Sequence, residues 1–294
     1  MQTEKLKVLI LTHGGSERLL ELLSESEAVE IVGVFVEKAR EPVRTFQQKL
    51  KRSIKYDGYL ETLKKFSAKF FGGKTEGAEE LKTVQLKQQE LEITAEKLDI
   101  SIYNVEDYHS PETKEQLKNL NADLGILYGT NIIKKEVFQI PKLGSINIHQ
   151  GLAPIYRGGP TVFWELFNDE KELGITVHFV APKVDTGDII LQKTLPLVYN
   201  FEKYNLDYES FLSDYRATLK EPSSKMMAEA VEQIASGKVQ RTKQDTSIGK
   251  RYRLPTKREK DELMKILKER RHLAGNECDS TKTNVANFKD KMKV

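Results

Sequence analysis

The apolar run Val8-Leu9-Ile10-Leu11 is followed by Thr12-His13-Gly14-Gly15-Ser16. Leu19, Leu20, Leu22 and Leu23 then recur at helical spacing, and a second apolar run extends from Ile31 to Val36. A parallel strand buried on both faces reads as a continuous apolar run, so this order predicts strand, turn, helix, strand, the opening unit of a parallel α/β sheet. Further strands are predicted from Ile100 to Tyr103, Leu124 to Tyr128, Ser145 to His149, Ile175 to Val180 and Ile189 to Leu191, alternating with helical stretches. The expected fold is therefore α/β: a doubly wound, mostly parallel sheet with right-handed crossovers, whose site lies at the carboxyl ends of the strands.

From about 40 to 95 a Lys-rich stretch interrupts this rhythm. Phe46, Leu50, Ile54, Leu60, Leu63, Phe66 and Phe70 recur at roughly helical spacing, which predicts an inserted helical subdomain. Its apolar stripe is expected to pack on the main sheet; a lid, a homodimer contact or membrane-surface binding are the alternatives. Beyond the catalytic unit expected over 1–200, the strand signal fades into a helical extension over 201–273. One long helix is predicted from Phe211 to Ala235, and another after Pro255, opened by the capping-box pair Thr256 and Glu259. The stretch 274–294 is polar and aperiodic, and a flexible tail is expected there.

With 47 basic and 44 acidic residues, the net charge of +3 gives no general reason to propose a nucleic-acid partner. The basic run Lys250-Arg251-Tyr252-Arg253 through Lys257-Arg258 reads as a solvated helix face rather than a phosphate site. No apolar run is long enough to span a membrane, and the single cysteine, Cys278, has no internal partner, so a cytoplasmic protein is expected.

Candidate chemistry falls in two blocks. In Gly144-Ser145-Ile146-Asn147-Ile148-His149 the two-residue period of a strand puts Asn147 and His149 on one face, and Pro154 with Gly158-Gly159 forces an irregular turn just beyond. In Gly174-Ile175-Thr176-Val177-His178-Phe179-Val180 the same period aligns Thr176 with His178, and the following loop carries Asp185 and Asp188 around Gly187. An acid could thus be brought beside a histidine. Neither His-x-x-x-His nor Cys-x-x-Cys occurs, and no metal is expected.

These blocks resemble the catalytic domain of the 10-formyltetrahydrofolate-dependent formyltransferases. Asn147-Ile148-His149 falls on the Asn-x-His of that family, and Leu152 to Gly158 on its Leu-Leu-Pro-x-x-Arg-Gly turn. Thr176 to Val180 falls on its second strand, and Asp185, 36 residues after His149, on its catalytic aspartate. The resemblance implies a Rossmann-like fold and transfer of a formyl group from 10-formyltetrahydrofolate to a small-molecule amine. Asn147 and His149 would stabilise the oxyanion, and Asp185 would orient His149 and help take the amine proton. Thr176, His178, Arg157 and Gly158 would act as supports. The folate is expected beside Ile132 and Ile133 and along Val180, Ala181, Pro182, Lys183 and Val184.

Departures from the pattern concern the acceptor. Gln150-Gly151 and Ala153 alter the turn, and Glu17 stands where a phosphate-binding loop of the glycinamide ribonucleotide enzyme carries Asn, so that its carboxylate would repel a phosphate. An amino sugar, nucleotide-linked, is the expected acceptor; methionyl-tRNA formylation and hydrolysis of the donor by water are the alternatives.

Overall fold

The computed structural model describes residues 4–38, 45–70, 76–204, 207–270 and 272–273. The expected tail and Cys278 lie outside them. The chain runs β1 (Leu6–Thr12), α1 (Glu17–Ser24), β2 (Val29–Glu37), α2 (Phe46–Asp57), α3 (Tyr59–Phe70), α4 (Glu76–Lys97), β3 (Ile102–Val105), α5 (Pro111–Asn119), β4 (Leu124–Tyr128), α6 (Lys135–Phe138) and β5 (Ser145–His149). It continues through β6 (Tyr156–Gly158), α7 (Phe163–Phe167), β7 (Glu172–Phe179), β8 (Ile189–Pro196), β9 (Tyr199–Asn200), α8 (Tyr208–Thr218), α9 (Lys220–Ala235), β10 (Lys250–Tyr252), α10 (Lys257–Arg270) and β11 (His272–Leu273).

Seven strands form the central sheet in the order β3-β2-β1-β4-β5-β7-β8. The first five are parallel, and β7 and β8 add in antiparallel fashion. The mixed edge agrees with a mostly parallel sheet, and helices cover both faces. On β1, Val8 and Ile10 face one core cluster while Leu9 and Leu11 face another, which is why this strand reads as an unbroken apolar run.

The long helix expected from Phe211 to Ala235 is two helices, α8 and α9, that break at Leu219. A continuous helix would need the amide of residue 222 to donate to the Thr218 carbonyl, and Pro222 has no N–H; in the first turn of a new helix that absence costs nothing. The capping box at Thr256 is formed: its backbone N–H donates to Glu259 Oε2 at 2.7 Å.

The inserted stretch folds as α2, α3 and α4, but its apolar stripe does not cover the sheet. Phe46, Leu60 and Leu63 are 65%, 75% and 50% exposed. Instead α2 and α3 hold each other through the Ser53 and Thr62 hydroxyls, 2.9 Å apart, and α2 leans on α10. The side chains of Phe66 and Phe70 lie outside the described residues. Among the described residues of the insertion, Leu91 and Ala95 near the end of α4 are the ones that enter the main core. Among the described residues no helix is long and apolar enough to cross a membrane.

The C-terminal extension closes back on the sheet. β10 pairs with β6 in parallel register, Arg251 opposite Arg157, so Lys250 to Tyr252 is a strand rather than part of a helix face. A Cβ at Gly249 would overlap the Pro154 carbonyl oxygen, which fixes how closely this segment lies on the turn after β5. Gly249→Ala must push backbone apart, at a cost of about 1–3 kcal/mol. Its expected signature is a lower melting temperature together with faster amide exchange over 244–253; unchanged exchange there would count against this packing.

Candidate active site

Antiparallel pairing of β5 with β7 sets Asn147 opposite His178 and His149 opposite Thr176. The four side chains that the two-residue period put on two separate strand faces thus share one face of the sheet. The loop after β7 turns back over them and brings Asp185 between the two histidines.

Asp185 is the hub. Its Oδ2 accepts the Gly158 N–H at 2.8 Å and lies 3.5 Å from His149 Nδ1, while Oδ1 lies 3.5 Å from His178 Nε2. Asp185 has φ +52°, a left-handed conformation that Asp and Asn tolerate better than other non-glycine residues. Gly158 has φ +77°, and a Cβ there would lie 2.6 Å from the Tyr252 carbonyl oxygen, so glycine is required where the backbone N–H meets the carboxylate.

The ring nitrogens have defined roles. His149 Nε2 donates to the Tyr156 carbonyl at 2.7 Å; a carbonyl can only accept, so Nε2 carries hydrogen and Nδ1 is the nitrogen that faces Asp185. His178 Nδ1 donates to the Phe179 carbonyl at 2.7 Å, leaving Nε2 to accept from Asn147 Nδ2 at 3.3 Å. That contact fixes the orientation of the Asn147 amide and leaves its second N–H unspent.

Burial alone would push the Asp185 carboxyl up. The His178 ring alongside, the charge that His149 carries when protonated and the Gly158 amide outweigh it and hold the carboxyl at about 2. For His149, 7% exposed, burial dominates and pulls the ring below the ordinary imidazole value against the opposing pull of Asp185 and the Tyr156 carbonyl. The resting pair at neutral pH is therefore a carboxylate beside a neutral imidazole with a bare Nδ1.

The supporting residues brace the turn after β5. Thr176 Oγ1 donates to the Gly151 carbonyl at 2.7 Å and accepts from the Ala153 N–H and from Gln192 Nε2. Arg157 donates to the carbonyls of Pro154, Thr246 and Gly249, clamping the turn to the C-terminal extension.

Of the residues expected beside the folate, Ile133 and Val180 belong to one apolar cluster, Ile132 is exposed, and Pro182 and Lys183 are exposed between half-buried Ala181 and Val184. Among the described residues no group of three or more His, Cys, Asp or Glu side chains could hold a metal ion.

Sequence reasoning passed over Tyr156, Gln192, Tyr252 and Glu165. Tyr156 acts through its carbonyl, which leaves no side-chain signal. Tyr252 stacks on the Tyr156 ring at 5.1 Å and reaches the site only because β10 pairs with β6. Glu165 did have a signal: it is a carboxylate inside the apolar segment Phe163-Trp164-Glu165-Leu166-Phe167.

A Rossmann-like sheet with an Asn, two His and an Asp gathered at its mouth places the protein among α/β transferases, and the family can be named: the Formyl transferase model matches residues 6–210, and the chain belongs to that family. It is similar to the methionyl-tRNA formyltransferase of Fusobacterium nucleatum, 32% identical over 151 residues that are 51% of this chain and 46% of that protein. The match to the same enzyme of Ruminiclostridium cellulolyticum is 42% identical over 90 residues, 30% of this chain and 28% of that protein. The chain thus spans about half, or less, of the length of these curated relatives. Among solved structures, the fold is shared with phosphoribosylglycinamide formyltransferase from Anaplasma phagocytophilum (TM-score 0.52, 20% identity, 82% of this chain and 97% of that one). It is also shared with a 4-N formyltransferase from Francisella tularensis (TM-score 0.51, 15% identity, 89% and 88%).

Proposed function

We infer that this chain transfers a formyl group from 10-formyltetrahydrofolate to a primary amine, and that the amine belongs to a nucleotide-linked amino sugar. The observation that carries formyl transfer is the Asp185 carboxylate set between His149 and His178 with Asn147 alongside. Attack of an amine on a formyl carbon puts negative charge on the formyl oxygen while the nitrogen becomes acidic. The free N–H of Asn147 is a donor for that oxygen. The bare Nδ1 of His149 can accept a proton, and the imidazolium so formed is stabilised by Asp185 and keeps its Nε2–H on Tyr156. His149 then serves as donor to the oxyanion only in its protonated form.

Ile133 and Val180 offer an apolar wall for a pterin ring, and the backbone of 181–184, exposed at Pro182 and Lys183, offers hydrogen-bonding groups. The bound folate supplies the formyl group; residues of this chain hold, orient and exchange protons with it.

Two features support an amino sugar as acceptor. Glu17 Oε1 accepts the Gly15 N–H at 3.0 Å, so a carboxylate already occupies the loop amide that a phosphate on the glycinamide ribonucleotide pattern would need. On the acceptor side, β10 brings Tyr252 to the wall of an open cleft whose polar lining of Arg157, Thr161 and Glu165 beside His149 suits an amine-bearing group. The names of the curated relatives make aminoacyl-tRNA a necessary arm of the test.

Purified protein incubated with 10-formyltetrahydrofolate should release tetrahydrofolate slowly alone and rapidly with a nucleotide-linked amino sugar. Rapid release without any amine would sink the transferase reading in favour of hydrolysis. Stimulation by methionyl-tRNA or glycinamide ribonucleotide alone would overturn the amino-sugar acceptor while leaving formyl transfer standing.

A further inference from the structure

Glu165 is 2% exposed and lies on α7 between Phe163, Trp164 and Leu166. It lines the same cleft as His149, Tyr156, Arg157, Gly158 and Tyr252. Among the described residues no cation forms an ion pair with it. Arg157 commits its guanidinium to the carbonyls of Pro154, Thr246 and Gly249, and Arg216, the cation acting on Glu165 through space, donates both Nε and Nη2 to the Thr161 carbonyl. The carboxylate receives the backbone N–H groups of Val162 and of Glu165 itself. That arrangement would serve as a helix cap. An ionised carboxylate, however, has about four lone-pair sites, and two backbone donors leave acceptor capacity over. Beside it Val162 holds φ +72°, a costly conformation for a β-branched residue and the kind of strain that collects at functional sites.

The reaction itself calls for a second proton acceptor. An acceptor amine in water is an ammonium, R–NH3+, and its product R–NH–CHO has lost two protons. One ends on the folate nitrogen that gives up the formyl group, and the other goes to solvent. Asp185 and His149 form a single relay and can carry one of them at a time. Glu165 is the carboxylate among the described residues that line the cleft, and burial lifts it, against its backbone donors, to about 7, where a group both takes and gives up protons at neutral pH.

We propose that Glu165 binds the acceptor's ammonium group in this cleft and takes its first proton, delivering the neutral amine to the formyl carbon. The step rests on the formyl-transfer reading above. An N–H bond breaks, its electron pair stays on nitrogen and the proton moves to the Glu165 carboxylate. The lone pair then forms the new C–N bond, the second N–H proton passes to His149 Nδ1, and as the bond from carbon to the folate nitrogen breaks that nitrogen takes this proton from the His149 and Asp185 pair. Glu165 returns its proton to water through the cleft. The charged groups acting on it are Glu170 and Arg216, and the cleft adds His149, Arg157, Tyr156 and Tyr252.

The test compares a nucleotide-linked amino sugar with its hydroxyl counterpart, used as a competitive inhibitor of the full-length wild type. At pH 8 the amine should bind at least tenfold tighter than the hydroxyl compound, and the preference should fall toward parity below about pH 6 as Glu165 is protonated. In Glu165→Gln the KM for the amine should rise at least tenfold, and the two compounds should bind alike. Equal binding to the wild type at pH 8, or a folded Glu165→Gln with the wild-type KM, overturns the proposal; the wild-type comparison decides it even where the variant does not fold. Failure of the amino-sugar reading shows separately, as no turnover of any amino sugar. The same amine-against-hydroxyl comparison is then made with whichever amine of the panel is turned over.

Discussion

Asp185→Asn is expected to lower kcat/KM by about 10²–10⁴-fold while leaving the protein folded, the loss typical of removing a positioned proton-transfer group. Asparagine suits the site sterically: it tolerates the φ of +52° that position 185 adopts, and its amide oxygen can still accept the Gly158 N–H. What disappears is charge. Without the carboxylate, burial pulls His149 further from protonation, because Asp185 is the leading influence opposing burial there. The imidazolium that has to form during attack then lacks its counter-ion. Steady-state turnover of amine and donor, with far-ultraviolet circular dichroism as the folding check, measures this; turnover within threefold of wild type in a folded Asp185→Asn would remove Asp185 from the mechanism. Alanine at the same position would confound the result, since it adds the strain of a left-handed Cβ residue without a polar side chain to offset it.

The same carboxylate makes a statement about acid stability. Its pKa is about 2 in the fold against an ordinary 3.8. Asp185 therefore favours the folded state above about pH 4, by about 2 kcal/mol in full, and that contribution fades as pH falls through the folded value. Asp185→Asn should flatten the acid limb of a stability profile between about pH 4 and pH 2 relative to wild type.

The sequence revealed those parts of the molecule whose physics is local. Val8 to Leu11 and Leu124 to Tyr128 are buried on both faces, and such strands can only be written in apolar residues. Asn147 and His149 share a face because a strand alternates, whatever surrounds it. The alignment of that face with Thr176 and His178 is different in kind: it depends on β7 turning antiparallel beside β5, and nothing in either strand specifies its partner. The helix break at Leu219 was written in Pro222, but a proline in the first turn of a helix and one inside it look alike until the turn before it is placed. The helical insertion was legible as helices and misleading as packing, because an apolar stripe states only that a face is apolar. The C-terminal basic run reached the cleft wall through a backbone pairing, β10 on β6, that its charges do not advertise.

Asn147→Ala should cost about 10²–10³-fold in kcat with little change in the KM of either substrate, because its free N–H is offered to an oxygen that bears charge only as the amine attacks. The ground state has little use for that donor. One Asn147 N–H is already given to His178 Nε2, which donates its other side to the Phe179 carbonyl, so the amide is held by a chain of hydrogen bonds running back into the start of the Asp185 loop. This pre-orientation separates Asn147 from an ordinary strand-end asparagine. It also predicts a ranking. His178→Gln, which retains a polar side chain without the rigid ring, should lose less than Asn147→Ala, because the oxyanion donor survives but is less firmly aimed. Pre-steady-state rates of tetrahydrofolate release from the two variants measure the difference. A loss in Asn147→Ala confined to KM would mean that the amide binds the formyl donor before reaction rather than stabilising the charge that develops during it.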